Sequence, residues 1–109
     1  MQVPLLVVCS CPDQSTGIKI AEALVTANVA ACVTVQGSTA TSVYRWNDKI
    51  EHATEAILLI KTTERRYPEL EHLIQNLHPY QVPEIIALPI TMGLNDYLSW
   101  VEKCTNSTN

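Results

Sequence analysis

Three prolines in residues 78–90 constrain the fold more than any other feature of the sequence. Pro79 disfavours helical backbone angles at the residue before it, so the apolar helix that precedes it must end at about His78. The other two prolines enclose residues 84–88, a run that is too short for a helix and apolar on both faces. The sequence therefore predicts a helix, a rigid turn and a buried strand in this order.

The length and composition predict one globular domain, residues 1–109. It is large enough to fold around a single core without disulfides or metal. Seven Lys and Arg residues against 11 Asp and Glu residues give a net charge of −4, and no basic cluster favours nucleic acid as a partner. The chain enters an apolar strand at Val3 without a signal-peptide pattern, and no apolar run approaches the roughly 20 residues of a membrane span. We therefore expect a cytoplasmic protein with no membrane contact.

The helices are predicted from apolar residues at helical spacing. Asp13 is a suitable N-cap for the first helix, and Asn28 is a suitable end. Thr62 or Thr63 is expected to cap the second helix, and the last helix is expected to begin near Asn95. The predicted apolar faces are Ile18, Ala21, Leu24 and Val25 in the first helix, Leu70, Leu73, Ile74 and Leu77 in the second, and Leu94, Tyr97, Leu98 and Val101 in the last.

A long hairpin is predicted in the middle of the chain. Residues 29–35 and 41–46 form one strand with a bulge between them, and Asn47 and Asp48 tolerate the positive φ angles of a tight reversal. The returning strand, residues 51–63, would be about 43 Å long at a rise near 3.3 Å per residue, whereas a domain of this size is only about 34 Å across. Its centre is also apolar on both faces. We therefore expect the hairpin to project beyond its own core and to be covered by another subunit.

The predicted order is strand, helix, strand, strand, helix, strand and a closing helix. Two strand-helix-strand units whose inner strands form a hairpin are the split βαβ arrangement of ferredoxin-like sandwiches. The predicted fold class is therefore α+β, a ferredoxin-like sandwich with a long hairpin and an extra C-terminal helix. Because the crossover helices pack on one face of the sheet, the opposite face favours association with other copies.

Six segments, in the same order along the chain, make this sequence resemble the CutA divalent-cation-tolerance proteins. They are residues 8–13, 30–33, 44–46, 58–62, 78–90 and 96–100, and together they span nearly the whole chain. The resemblance implies a small homotrimer with the ferredoxin-like fold, binding of copper or other divalent cations, and clefts between subunits. We expect Trp46 to lie at the contact between subunits.

The resemblance also implies Cys9 and His78 as metal ligands, because both match the family residue by residue. The position before His78, which is histidine in some members, is Leu77 here, so two donors remain where a tight site has three or four. The alternatives are buried packing for Cys9 and a helix-end role for His78. If Cys9 and Cys11 both lie on a strand, we expect their side chains on opposite faces, where they do not grip one ion.

Lys61, Tyr80 and Glu84 are predicted to lie near strand ends and to line a ligand-binding cleft between subunits. A lysine opposite a glutamate and beside a phenol suits small anionic ligands such as carboxylates, and a structural ion pair between subunits is the alternative.

We expect a non-enzymatic homotrimer that responds to divalent cations. The first alternative is a small-molecule-sensing or partner-binding trimer similar to the nitrogen-regulatory signal proteins. The chain has no glycine-rich phosphate loop, nucleophile elbow or His-Glu-x-x-His motif. A cysteine nucleophile with His78 as its base is the remaining enzymatic alternative.

Overall fold

The computed structural model describes residues 2–106 and has the predicted order of elements. The four strands form one antiparallel sheet in the order β2-β3-β1-β4, which confirms the α+β fold class. No helix in the described range is both long enough and apolar enough to cross a membrane. The elements are β1 (Pro4–Cys11), α1 (Gln14–Thr26), β2 (Cys32–Trp46), β3 (Lys49–Thr63), α2 (Tyr67–Leu77), β4 (Ile85–Pro89) and α3 (Asn95–Thr105).

The long hairpin of β2 and β3 turns at the predicted position. Asn47 and Asp48 have φ angles of 51° and 64°, the left-handed conformation that a two-residue reversal requires. The pairing register shifts between Gln36 and Ala40, where the bulge was predicted. Pairing of β1 with β3 ends at Cys11, so residues 40–55 extend past the rest of the sheet and give the molecule a long dimension of 44 Å.

The first helix begins at the predicted cap and buries two of the four predicted residues, Ala21 and Leu24. The backbone N–H of Thr16 donates to Asp13 Oδ1 at 2.7 Å, and Asn28 adopts a positive φ just after the helix. The predicted residues Ile18 and Val25 are exposed at the rim of the helix, because it is rotated slightly about its axis. The buried residues are Gly17, Ile20, Ala21 and Leu24.

The second and third helices differ from the prediction at their ends. α2 starts after Arg66 without a side-chain cap, because β3 continues through Thr63 and places both threonines before the turn that leads into the helix. The Thr62 hydroxyl instead donates to Val29 O at 2.6 Å. His78 ends α2 as predicted, but Leu77 is exposed instead of completing the apolar face. The polar sequence of residues 105–109 predicts a tail, but Thr105 is the last residue of α3 and is buried there together with Val101. Residues 107–109 lie outside the described range.

The two faces of the sheet are covered differently. α1 and α2 pack on one face, where alternate residues of β1 and β3 are fully buried in the core, among them Val7, Leu58 and Ile60. We call the opposite side the open face. Strand register places on it Leu6, Val8 and Ser10 of β1, Ile57, Leu59 and Lys61 of β3, and Ile86 and Leu88 of β4.

α3 lies at one end of the open face, where its Tyr97 is beside Cys32. Ile86 and Leu88 are nevertheless exposed. β3 is therefore apolar on both sides, as its sequence predicted, but only one side is covered by the two crossover helices.

Candidate functional site

A cleft of about 770 Å³ lies between the projecting hairpin and residues 79–84, the loop that leads from α2 into β4. We call it the hairpin cleft. It continues the open face, because its residues Ser10 and Glu55 point to the same side of the sheet as Ile57. Its hairpin wall is formed by Ser42, Val43, Tyr44, Trp46 and Glu55, and its other wall by residues 79–84.

Tyr80 joins the two walls of the hairpin cleft. Its O–H donates to Glu55 Oε2 at 2.7 Å, and the Glu55 side chain is almost buried, with its residue only 5% exposed. Burial, together with the Glu55 carboxylate, raises the pKa of Tyr80 above its ordinary value, because both disfavour a second negative charge at this position. Tyr80 is therefore a neutral hydrogen-bond donor that anchors the loop to the hairpin.

His78 is held on both sides by its own chain. The backbone N–H of Tyr80 donates to His78 Nδ1 at 3.1 Å, so the ring proton is on Nε2, which donates to the carbonyl oxygen of Ser10 at 2.7 Å. The residue is 8% exposed, and its ring packs on that of Tyr80 with centroids 4.7 Å apart. Both ring nitrogens are thus occupied, and the imidazole links the end of α2 to β1.

Cys9 lies next to His78 on the helix-covered side of the sheet. Its Sγ is 3.7 Å from the Ser10 carbonyl oxygen, the same atom that accepts from His78. Burial raises the pKa of the Cys9 thiol from 9.0 to about 12, and the neighbouring Cys11, Glu84 and Glu55 add to this effect. The thiol is therefore protonated at neutral pH.

Cys11 does not face away from Cys9, contrary to our expectation. Side chains two residues apart in a strand share a face, and both cysteines are buried on the helix-covered side. The Cys11 thiol is directed to the Asp13 carbonyl oxygen, 3.5 Å from its Sγ. Strand geometry thus does not separate the two thiols, and burial is what keeps them from acting as a pair of thiolate ligands.

The donor atoms do not form a tight metal centre. Within residues 2–106 no group of three or more His, Cys, Asp or Glu side chains is arranged to hold a metal ion. Cys9 and His78 supply two adjacent donors, but the thiol keeps its proton and the imidazole keeps two hydrogen bonds. A cation at this position must displace those interactions, so the residues fit weak binding and not a preformed copper site.

Lys61 is not part of the hairpin cleft within one chain. It is in register with Leu6, whereas Glu84 precedes Ile85, which is in register with Cys9 at the other end of β1. The Nζ of Lys61 donates to Thr34 Oγ1 at 2.9 Å and to the Leu59 carbonyl oxygen at 3.0 Å. Within one chain, Tyr80 and Glu84 therefore line the hairpin cleft and Lys61 lies elsewhere on the sheet. A cleft between subunits that all three residues share stays a prediction.

Glu55 and Tyr44 line the cleft although neither was predicted as a site residue. Glu55 is 25 residues from Tyr80 in the chain, and only the fold brings them together. The available signal was a glutamate immediately before the apolar run 56–60, at a position that β-alternation assigns to the open face. A charged side chain that is almost buried beside such a run requires a partner.

Comparison with known proteins gives a consistent result over nearly the whole chain. Residues 5–104 match the family model described as CutA1 divalent ion tolerance protein. A divalent-cation tolerance protein CutA from Thermus thermophilus is 41% identical over 100 residues, which cover 92% of this chain and 96% of the relative.

Solved structures agree with the sequence comparison. The divalent cation tolerance protein from Thermus thermophilus superposes with a TM-score of 0.91 at 40% identity, covering 94% of this chain and 98% of that one. A protein from Archaeoglobus fulgidus, described as a periplasmic divalent cation tolerance protein, has a TM-score of 0.89 at 29% identity over 94% of this chain and 98% of its own.

Proposed function

Because the chain belongs to the family of CutA1 divalent ion tolerance proteins, we propose that it acts in tolerance to divalent cations as a non-enzymatic, cytoplasmic homotrimer. The observation that carries this proposal is the apolar surface that one chain leaves exposed on its open face and on its hairpin. Val43 and Ile50 of the hairpin are 61% and 56% exposed, and Ile86 on the open face is exposed as well. Apolar surface of this kind marks a contact with another protein surface.

The sheet edges support association of copies. β2 and β4 are the outer strands, and the part of β2 beyond residue 40 carries backbone groups on one side that pair with no other strand of the sheet. An edge of this length pairs readily with a strand from another chain. The family resemblance is the reason for choosing three copies.

We propose weak binding of copper or another divalent cation by Cys9 and His78. Their shared contact with the Ser10 carbonyl oxygen brings a thiol and an imidazole together, and these donor types suit copper. A bound cation would require the Cys9 thiol to lose its proton, which burial opposes. We therefore expect low affinity that increases with pH.

The proposed cytoplasmic location is supported by the four cysteines, which are all free thiols. Free thiols are typical of proteins kept in a reducing compartment. The periplasmic description of the Archaeoglobus fulgidus protein makes cell fractionation a direct test.

Titration calorimetry with Cu(I), Cu(II) and Zn(II) tests the cation site. Wild type is compared with His78→Ala and with His52→Ala, which changes an exposed histidine on the hairpin. We expect weak binding that is lost in His78→Ala and kept in His52→Ala. Identical isotherms for all three proteins would remove His78 as a ligand.

A second candidate function is small-molecule sensing, and the hairpin cleft is the observation that favours it. Its volume lies within the range of about 300–1,000 Å³ that is usual for ligand pockets. Its chemistry differs from our sequence prediction, because Lys61 is absent from the lining and Glu55 and Glu84 are present. A small anionic ligand is thus disfavoured within one chain.

A further inference from the structure

We infer that the hairpin cleft binds a small organic cation, an alkylammonium or alkylguanidinium group, between aromatic rings and two carboxylates. The inference rests on the second candidate function, ligand sensing in this cleft, and is independent of the Cys9 and His78 pair. Three observations support it. The cleft is lined by aromatic rings, the lining carries negative charge, and its side chains suit anions and calcium ions poorly.

The aromatic residues of the chain are concentrated in this cleft. The sequence has two tryptophans, four tyrosines and no phenylalanine, and three of these six line the cleft. Tyr44 and Trp46 share one side of β2 because they are two residues apart, and each is 45% exposed. Tyr80 stands on the opposite wall. Rings placed around a cavity attract cations through their negative π faces, most strongly when the cation carries little water.

The charge of the lining is negative. Glu55 and Glu84 are its only ionisable carboxylates, and no Lys, Arg or His belongs to the lining among residues 2–106. Glu55 accepts from Tyr80 through Oε2, but a carboxylate has room for about four hydrogen bonds and can accept more. Two hairpin cations lie outside the lining: Arg45 is on the side of β2 opposite to Tyr44 and Trp46, and Lys49 lies opposite Trp46 at the outer end.

Other classes of ligand fit this cleft less well. An anion meets two carboxylates and finds no cationic side chain in the lining. A calcium ion takes six to eight oxygen ligands, whereas aromatic and aliphatic side chains form most of the hairpin wall. An ammonium or guanidinium group uses both features, because its N–H groups bind a carboxylate while its carbon atoms pack on the rings.

Fluorescence of Trp46 and calorimetry test the inference. Trp100→Phe is introduced first so that Trp46 is the only tryptophan, and the protein is titrated with butylammonium, butylguanidinium and, as the anionic comparison, sodium acetate. EDTA is present so that divalent cations do not contribute. We expect saturable binding of the two organic cations, a change in Trp46 emission, and no binding of acetate.

Two pairs of matched variants separate the cleft from general effects of charge. Glu55→Gln should weaken binding of both cations at least tenfold, and Tyr80→Phe should weaken it by a smaller factor. Tyr67 donates to Glu71 Oε2 at 2.8 Å on α2, a phenol–carboxylate pair like that of Tyr80 and Glu55 but outside the cleft. Tyr67→Phe and Glu71→Gln should therefore leave binding unchanged.

The inference is overturned if neither organic cation binds, if acetate binds more tightly, or if Glu71→Gln weakens binding as much as Glu55→Gln. Light scattering, and copper titration of the same protein after EDTA has been removed, keep this result separate from the main proposal. A trimer that binds copper but no organic cation would retain the proposed function and remove this inference. If the protein binds organic cations but not copper, the proposed copper binding is removed and this inference is kept.

Discussion

The two sides of the sheet both carry apolar residues, but they differ in how far these residues are buried. On the helix-covered side, Val7, Leu58 and Ile60 are fully buried in one continuous core. On the open face, Ile86 and Leu88 are exposed, and where the hairpin projects past the helices, Val43 and Ile50 are exposed as well. The core under the helices is complete within one chain, whereas the open face and the projecting hairpin are available to another copy and to a ligand.

The two candidate sites follow the same division. Cys9 and His78 lie on the helix-covered side, where both residues are buried and their donor atoms already make hydrogen bonds. Tyr80 and Glu84 line an open cleft next to exposed aromatic rings. Burial thus suppresses metal-ligand chemistry at the first site, while exposure leaves the second site free to bind.

The largest expected effect is on core packing. Leu58→Ala removes a fully buried side chain and should lower the free energy of unfolding by roughly 2–5 kcal/mol. Leu88→Ala is the matched change on the open face, where Leu88 is 47% exposed in one chain, and at protein concentrations that dissociate the copies it should cost less than half as much. Urea denaturation at several protein concentrations measures both. Equal losses would contradict the difference between the two sides.

The bond that joins the loop to the hairpin gives the next effect. Tyr80→Phe removes a hydrogen bond to a charged acceptor that is almost buried, and we expect a loss of about 2 kcal/mol in stability. Residues 79–84 should also become more susceptible to proteolysis. Tyr67→Phe is the control on α2. No change in either measurement for Tyr80→Phe would mean that this bond does not hold the cleft together.

Alkaline pH tests the burial of Cys9. Between pH 9 and about 12 the unfolded chain loses the thiol proton while the folded chain keeps it, so folding stability falls as pH rises. The contribution of this one group is about 1.4 kcal/mol per pH unit. Stability curves of wild type and Cys9→Ala over this range should differ in slope, with the variant less steep. Parallel curves would show that Cys9 is accessible to water.

The smallest effect concerns the start of α1. Asp13→Ala removes the acceptor for the Thr16 N–H and should cost about 1 kcal/mol, independent of protein concentration because this helix is completed within one chain. Ser15→Ala, at an exposed position in the first turn, should cost less. Thermal unfolding of both variants gives the comparison. A concentration-dependent loss would place α1 in a contact between copies.

Local signals in the sequence predicted the order of elements and their ends. The reversal at Asn47-Asp48, the cap at Asp13 and the helix end at His78 depend on backbone preferences of a few neighbouring residues, and all three are confirmed. The buried faces of the helices were less predictable. Ile18 and Leu77 are apolar but exposed, because the rotation of a helix depends on what it packs against.

The site was predictable only in part. Prolines fixed the position of Tyr80 and Glu84, and both line the cleft. Lys61 lies at the opposite end of β1 from them within one chain, because pairing register decides which strand end a residue occupies. Glu55 was missed because its contact with Tyr80 is formed only when the hairpin folds over the loop. Long-range pairing therefore limits what one sequence reveals about a site.

The central claim is that the open face and hairpin are completed by other copies of the chain. Static light scattering after size-exclusion chromatography at low micromolar concentration tests it most directly. We expect a mass of three chains for wild type, and a mass of one chain for a variant that places charges on the apolar surface, Ile50→Asp with Ile86→Lys. A wild-type protein that is folded and stable at the mass of one chain would contradict the claim.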